Sequence, residues 1–234
     1  MPSLESLSPS DKAKLFQPTA YKGFLYRLAT PDDREQIRDG LERWFYPEEQ
    51  VNCGHRDGPL YAEEDMTYML GVIEYGVVIM VFEESTGSLA GFCGCCLIGS
   101  DYVEHLMETA KSAKSRKFMD TCLFLAHCTG NADILGRFQV DTALQVQYVT
   151  VFPKYRGLKI SSGLVDKSIK IARRLGAGAI NGDCSSPLMA RSFLSVGIPC
   201  VYQMTYKDYR DENGEIVFKS KPNYEHLLFH AMKL

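Results

Sequence analysis

The chain has 234 residues, of which 45% are hydrophobic and 24% charged, and its net charge at pH 7 is −3. This composition is typical of a globular protein, and the slight negative charge argues against a nucleic-acid-binding surface. No apolar run reaches membrane-spanning length, and the N-terminus lacks the charged and apolar regions of a signal peptide. We therefore expect a cytoplasmic protein, with free thiols at its eight cysteines. The Cys93-Gly-Cys95-Cys96 run has no second cysteine pair at zinc-finger spacing, so we interpret it as core packing and expect no metal.

Hydrophobic periodicity predicts one α/β domain over residues 21–234, preceded by a flexible, polar arm at residues 1–20. Strands are predicted at residues 23–29, 77–83, 89–98, 144–151, 179–183, 201–208 and 226–232. Helices are predicted at residues 30–46, 62–74, 102–115, 118–128, 160–175 and 186–196, with a helical turn at 133–138 and a loop at 48–61. This order favours a mixed central sheet with helices on both faces, in which strand 179–183 lies parallel to strand 144–151.

The most informative stretch runs from Tyr148 to Ser161. A strand stops at Pro153, which cannot donate to a sheet ladder, and a basic turn leads directly into a helix. The helix has an apolar face and a charged face, the latter carrying Lys167, Lys170, Arg173 and Arg174. The turn's N–H groups, the helix dipole and Arg156 are expected to converge on one point, and this arrangement suits a diphosphate. An ordinary strand-to-helix connection is the alternative interpretation.

This stretch resembles the acyl-coenzyme A loop of the GNAT acetyltransferase superfamily, whose signature is Arg/Gln-x-x-Gly-x-Gly/Ala. Here the turn is Arg156-Gly-Leu-Lys159-Ile-Ser161, with Lys159 at the position of the family glycine. A non-glycine residue with positive φ costs on the order of 1 kcal/mol, which the Lys159 ammonium could offset by contacting phosphate.

Further segments resemble the insect-type arylalkylamine N-acetyltransferases, a GNAT branch that includes dopamine N-acetyltransferase. The segment 44–52 (WFYPEEQVN) is similar to the family's aromatic-aromatic-x-Asp/Glu-Glu-Pro-Leu, and the segment 184–191 (CSSPLMAR) is similar to its Cys-Ser-Ser-x-x-Ser-Ala-Arg. The segment 206–214 resembles the ending of this family. The resemblance covers nearly the whole chain from Gly23, and it implies the GNAT fold, an acetyl-coenzyme A donor and a small amine acceptor.

The resemblance also implies roles for individual residues. Glu49 corresponds to the family's general base, and Ser185 to the first of two serines involved in proton transfer. The second serine is replaced by Met189, and the tyrosine that acts as general acid in many other GNAT enzymes is replaced by Phe193. The implied contacts with coenzyme A are made by Tyr148, Val149, Thr150, Val151, Arg156, Gly157, Leu158, Lys159, Ile160, Ser161, Ser186 and Leu188. The implied substrate contacts are Tyr46, Glu48 and Met189.

The residues around Glu49 also indicate the character of the acceptor. Six acidic residues against one arginine in segment 48–65 create a field that attracts a cation. Nearby aromatic residues could hold a ring or an ammonium, although Trp44 and Phe45 fall on the predicted buried helix face. We predict an N-acetyltransferase, monomeric, for an arylalkylamine such as dopamine, serotonin or tyramine. The alternatives are a polyamine, amino acid or protein N-terminus as acceptor, or a non-catalytic acyl-coenzyme A-binding module.

Overall fold

The computed structural model describes residue 4 and residues 7–234, and within them the strands form a mixed sheet. The strands are β1 (Thr19–Tyr21), β2 (Phe24–Leu28), β3 (Val77–Glu83), β4 (Leu89–Ile98), β5 (Ala143–Val151), β6 (Ala179–Cys184), β7 (Cys200–Thr205) and β8 (His226–Lys233). Their order is β1-β2-β3-β4-β5-β6-β8-β7. The β5–β6 pair is parallel, as predicted, and its neighbours pair antiparallel.

Helices cover both faces of this sheet, which confirms the predicted architecture. They are α1 (Pro9–Leu15), α2 (Arg34–Gly40), α3 (Gln50–Gly54), α4 (Glu63–Tyr75), α5 (Tyr102–Ser112), α6 (Arg116–Ala132), α7 (Ile134–Phe138), α8 (Ile160–Arg174) and α9 (Pro187–Ser195). Val77 and Ile79 pack towards α8, whereas Val78 and Met80 pack towards α2 and α4. Successive residues of a strand point to opposite faces, so one strand serves two cores. No helix in the described part of the chain is both long and apolar enough to span a membrane.

The sheet opens between β5 and β6. These strands pair only from Ala143↔Ala179 to Val146↔Gly182, and β5 continues to Val151 along β4 alone. The register between β4 and β5 shifts at Gly94 and Cys95, where β5 carries an extra residue. The Tyr148 ring lies over Gly94, and a Cβ there would be 2.2 Å from the ring. Such a bulge bends its strand, which helps to separate β5 from β6.

The helix predicted at residues 30–46 changes character along its length. It begins as a 3₁₀ turn (Pro31–Asp33), continues as α2 and ends as a π-helical turn (Leu41–Phe45). Ile37 and Leu41 are fully buried, as the periodicity predicts. Trp44 and Phe45 are only half-buried, because the wider π turn rotates them away from the α-helical face. Single π turns often occur at functional sites.

Other elements depart from the sequence analysis. The predicted N-terminal arm contains α1 and part of the sheet at β1, while its residues 1–3 and 5–6 lie outside the described residues. The predicted loop at 48–61 contains the short helix α3. Lys167, placed on the charged face of α8, is instead buried, with its ammonium 3.8 Å from the centre of the Tyr26 ring. A cation over an aromatic face is stabilised by the ring quadrupole, which offsets part of the cost of burial.

Candidate active site

A cavity of about 680 Å³ lies where β5 and β6 separate. Its wall combines β5, the turn before α8, the start of α9, the π turn with α3, and side chains from α4 and α6. The residues implied by the sequence resemblance line this cavity, with the exception of Leu158, whose side chain is 56% exposed. The structure thus brings together segments that are more than a hundred residues apart in the chain.

One wall of the cavity is the free edge of β5. After Val146 this strand has no partner on its β6 side among the described residues, so the backbone from Gln147 to Val151 is open to the cavity. An open strand edge can pair with an extended, amide-rich ligand as an added strand does.

The turn before α8 forms the adjoining wall. Lys159 is the N-cap of α8 and adopts a left-handed conformation, with φ of 63° and ψ of 22°. The family glycine at this position therefore corresponds to a real backbone requirement. No side chain caps the helix, so its first N–H groups remain available. Together with the helix dipole they form a site suited to an anion.

Arg156 has a different environment from the one expected. Its Nη2 pairs with Glu48 Oε1 at 2.9 Å, and its Nε donates to the Val151 carbonyl at 3.1 Å. The guanidinium therefore connects the segment before α3 with the end of β5. Glu48, predicted to contact substrate, is exposed and forms this ion pair at the cavity rim.

Glu49 is half-buried and is the N-cap of α3. Its carboxylate accepts hydrogen bonds from the backbone N–H groups of Val51 at 2.9 Å and Asn52 at 2.6 Å. Burial raises the pKa of Glu49, although the Ser185 hydroxyl and these two N–H groups counteract the shift. The two residues predicted to be catalytic, Glu49 and Ser185, are thus adjacent in the folded chain.

Two further carboxylates line the same cavity, and the sequence analysis assigned neither a role. Asp65 lies in the first turn of α4, and burial and the charge of Glu49 raise its pKa to about 7. Asp183 lies near the end of β6, where burial raises its pKa to about 6 and Gln145 Nε2 donates to it at 3.3 Å. Asp65 contributed only to the acidic composition noted for segment 48–65, and Asp183 directly precedes the Cys-Ser-Ser segment.

Lys117, from α6, is a cation on the acidic side of the cavity. Its ammonium donates to the backbone carbonyls of Asn52 at 2.9 Å, Gly58 at 2.7 Å and Leu60 at 2.8 Å. Burial lowers the pKa of Lys117, and the nearby carboxylates partly oppose this shift. Lys117 therefore fixes the loop after α3 with all three of its protons.

Solved structures resemble the whole fold. The mosquito arylalkylamine N-acetyltransferase like 5b is 27% identical, with a TM-score of 0.86 over 90% of this chain and 100% of that chain. The chain is an acetyltransferase of the GNAT superfamily. A Drosophila melanogaster polyamine N-acetyltransferase that forms N-acetylagmatine is 23% identical, with a TM-score of 0.84 over 90% of this chain and 100% of that chain. A putative acetyltransferase from Salmonella typhimurium, solved with its cofactor acetyl-CoA, is 15% identical, with a TM-score of 0.50 over 91% of this chain and 95% of that chain.

These structures confirm the GNAT fold and the resemblance to the insect arylalkylamine branch that the sequence indicated. No protein-family model matches the sequence, and no curated protein matches it.

The start of α9 in this GNAT acetyltransferase has a structural role as well as a place in the cavity. Ser186 caps the helix by accepting from the Leu188 N–H at 3.2 Å, and Leu188 is 62% exposed at the mouth of the cavity. Met189 and Phe193 both line the cavity. Neither carries an exchangeable proton, so Ser185 is the hydroxyl that this segment places beside Glu49.

Proposed function

We propose that this protein transfers the acetyl group of acetyl-CoA to the primary amine of a small molecule, with Glu49 as the general base. The observation that carries the proposal is the position of Glu49. Glu49 lines the same cavity as the open edge of β5, its carboxylate lies next to the Ser185 hydroxyl, and burial raises its pKa.

A primary alkylamine must lose a proton before it can attack a thioester. Its pKa is about 10 by analogy with lysine, so almost all of it is protonated at neutral pH. A carboxylate that is partly desolvated is a stronger base than one in water, and general base assistance contributes roughly 10²–10⁴-fold to a rate. The neighbouring Ser185 hydroxyl can pass a proton to or from Glu49.

The other wall fits acetyl-CoA. The free edge of β5 can pair with the amides of the pantetheine arm, and the uncapped start of α8 can hold the diphosphate. In this proposal the contacts come from Tyr148–Val151 and the turn 156–161, and the Lys159 ammonium adds a positive charge at the turn. The acetyl-CoA bound in the Salmonella typhimurium protein supports this choice of donor.

The acceptor is proposed from the comparisons and the cavity together. An arylalkylamine acceptor is supported by the mosquito neighbour and by the aromatic residues of the cavity wall. A polyamine or agmatine acceptor is supported by the Drosophila melanogaster neighbour and by the three carboxylates at this end of the cavity. Both acceptor classes use the same base and the same donor.

The proposal is tested with purified protein, acetyl-CoA and a panel of amines, with products identified by mass spectrometry. The panel contains an arylalkylamine, a diamine, an amino acid and a peptide with a free N-terminus. An N-acetylated product that appears only with active protein supports the proposal. Binding of coenzyme A by calorimetry without any acetylated product would instead show a non-catalytic acyl-CoA-binding protein.

A further inference from the structure

Lys117 lies at a position in α6 that its own helix disfavours. The helix begins at Arg116 with Ser115 as its N-cap, and its first turn contains two basic residues and no acidic one. A cation near a helix N-terminus is repelled by the helix dipole, so local structure gives no reason for a lysine here. Side chains that break a local rule often serve a tertiary or functional purpose. The reason for Lys117 therefore lies in what its ammonium contacts.

The ammonium of Lys117 is connected to Glu49 through Asn52. Lys117 Nζ donates to the Asn52 carbonyl at 2.9 Å, while the Asn52 backbone N–H donates to Glu49 Oε2 at 2.6 Å. The Asn52 side chain donates to the carbonyls of Tyr46 at 2.8 Å and Pro59 at 2.6 Å. Because α3 has only five residues, its last carbonyls need partners from outside the helix. Lys117 supplies one such partner, and it thereby fixes the residue whose N–H group holds the Glu49 carboxylate.

The same ammonium holds the loop that follows α3. Its other two hydrogen bonds go to the carbonyls of Gly58 at 2.7 Å and Leu60 at 2.8 Å. Three carbonyls thus converge on one atom. An ammonium carries three donors on a single nitrogen, and its positive charge strengthens each hydrogen bond. The arrangement of the carbonyls therefore accounts for a lysine at this position.

The positive charge of Lys117 also acts on the carboxylates of the cavity. Burial raises the pKa of Glu49 and of Asp65, and the charge of Lys117 opposes this shift in both. The other cations among the described residues of the cavity wall belong to the turn before α8 and to α9: Arg156, Lys159 and Arg191. A general base must be ionised to accept a proton, so the charge of Lys117 favours the active form of Glu49.

Titratable groups face Lys117 and Glu49 from several elements. Those that face Lys117 come from α3 with its N-cap, the loop after it and α4: Glu49, Cys53, His55, Asp57 and Asp65. Besides Lys117, those that interact with Glu49 are Tyr46, Cys53, Asp65, Asp183 and Tyr206. Burial raises the pKa of the cysteine and of both tyrosines and lowers the pKa of His55, so these four groups are neutral near pH 7. Of all the groups just named, Lys117 is the one that carries a positive charge.

We propose that Lys117 is the positioning residue for the general base: it holds Asn52 against the Glu49 carboxylate and keeps that carboxylate ionised at neutral pH. The inference rests on the proposed function, because Lys117 acts on the reaction only through Glu49. Loss of the charge should matter most at low pH, where protonation of Glu49 limits turnover, and least at high pH, where Glu49 is ionised without it. A purely structural role would instead give a loss that does not depend on pH.

The test measures kcat and KM as a function of pH for wild-type protein and Lys117→Met, with an amine that the wild-type protein acetylates. Methionine keeps much of the side-chain length and removes the charge. Turnover should fall about tenfold or more near pH 6.5 and less than about threefold near pH 9, with KM for acetyl-CoA nearly unchanged. The acid limb of the kcat profile should therefore move to higher pH.

Two further variants separate the charge from the hydrogen bonds. Lys117→Arg keeps the charge and should retain the wild-type pH profile, whereas Lys117→Gln keeps two N–H donors without the charge and should follow Lys117→Met. Lys117→Gln also replaces Lys117→Met in the test if melting curves show that the latter does not fold. Lys114→Met is the matched control and should keep the wild-type profile, because Lys114 is exposed, lies three residues earlier and does not line the cavity.

A loss of equal size at every pH would overturn the inference, as would unchanged kinetics in Lys117→Met or the same shifted profile in Lys117→Arg. Titration of the Glu49 carboxyl by ¹³C NMR, with Glu49→Gln to assign its signal, gives a readout that does not require turnover. Its midpoint should move to higher pH in Lys117→Met. A shifted midpoint in a protein that acetylates no amine would contradict the proposed function alone, whereas acetylation with an unchanged midpoint would contradict this inference alone.

Discussion

The two ends of the cavity are built in different ways. The end proposed to bind coenzyme A, called the coenzyme end below, comes from one continuous stretch, in which β5, a turn and α8 present backbone groups. The end proposed to bind the amine, called the acceptor end below, is assembled from side chains of α3, α4, α6 and the segment after β6. Backbone groups survive side-chain substitution, whereas a charged side chain is removed by a single change. Point substitutions should therefore affect the acceptor end more strongly than the coenzyme end.

The largest effect is expected for Glu49→Gln. The substitution preserves volume but removes the base, so kcat near neutral pH should fall by about 10²-fold or more while coenzyme A affinity hardly changes. The deficit should shrink at high pH, where free amine is abundant. Steady-state kinetics over pH and calorimetry measure the two effects.

Glu48→Gln is the control for Glu49, because Glu48 is exposed and pairs with Arg156. In Glu49→Gln the glutamine keeps one acceptor oxygen for the cap of α3. Melting curves should therefore show that Glu49→Gln lowers the free energy of unfolding by only about 1 kcal/mol. If Glu48→Gln abolishes turnover while Glu49→Gln retains it, the base is Glu48 and the assignment is wrong.

The next largest effect concerns stability at the acceptor end. Burial raises the pKa of Asp183 from 3.8 to about 6, so ionising this carboxyl in the folded protein costs stability. That cost is absent below about pH 4, where the carboxyl is protonated in both the folded and the unfolded protein. It is complete above about pH 7, where the carboxyl is ionised in both states.

Asp183→Asn should therefore be more stable than wild type at pH 8, on the order of 1–3 kcal/mol, and equal to it near pH 4. Thermal melting from pH 4 to pH 8 measures this difference. A constant difference across the range would show that Asp183 ionisation is not the cause.

A smaller effect is expected at the coenzyme end for Arg156→Glu. The change removes the partner of Glu48, places two like charges together and adds a negative charge beside the turn. Acetyl-CoA affinity, measured by calorimetry, should fall several-fold because a like charge faces the diphosphate. The loss should be no larger, because the backbone N–H groups of the turn remain. Unchanged affinity in a folded variant would remove the turn from the coenzyme site.

Lys159→Gly should give the smallest effect. Glycine adopts a φ of 63° without a Cβ clash, so the variant should be more stable by about 1 kcal/mol or less. If the ammonium contacts phosphate, affinity for acetyl-CoA should fall by a few-fold. Tighter binding in the variant would show that Lys159 contributes only strain.

The sequence predicted the strand, turn and helix of the coenzyme end because the information there is local. Pro153 ends a strand, the turn residues follow, and the apolar period of α8 begins at once, so neighbours in sequence are neighbours in space. The glycine in the family pattern implied a left-handed backbone at position 159, and Lys159 adopts that conformation in the structure. The pairing of Arg156 with Glu48 could not be predicted, because its partner lies 108 residues away.

What the sequence by itself determined is the order of strands and helices, the mixed sheet and the strand-turn-helix unit of β5 and α8, since each depends on periodicity and on backbone preferences within short segments. Only the tertiary structure decided the character of the acceptor end. It placed Asp65 and Asp183 in the same cavity as Glu49, and it used the protons of Lys117 on backbone carbonyls. The raised pKa values of Asp65 and Asp183 arise from burial and from the charge of Glu49 on a distant segment, and neither cause is encoded in a local pattern of residues.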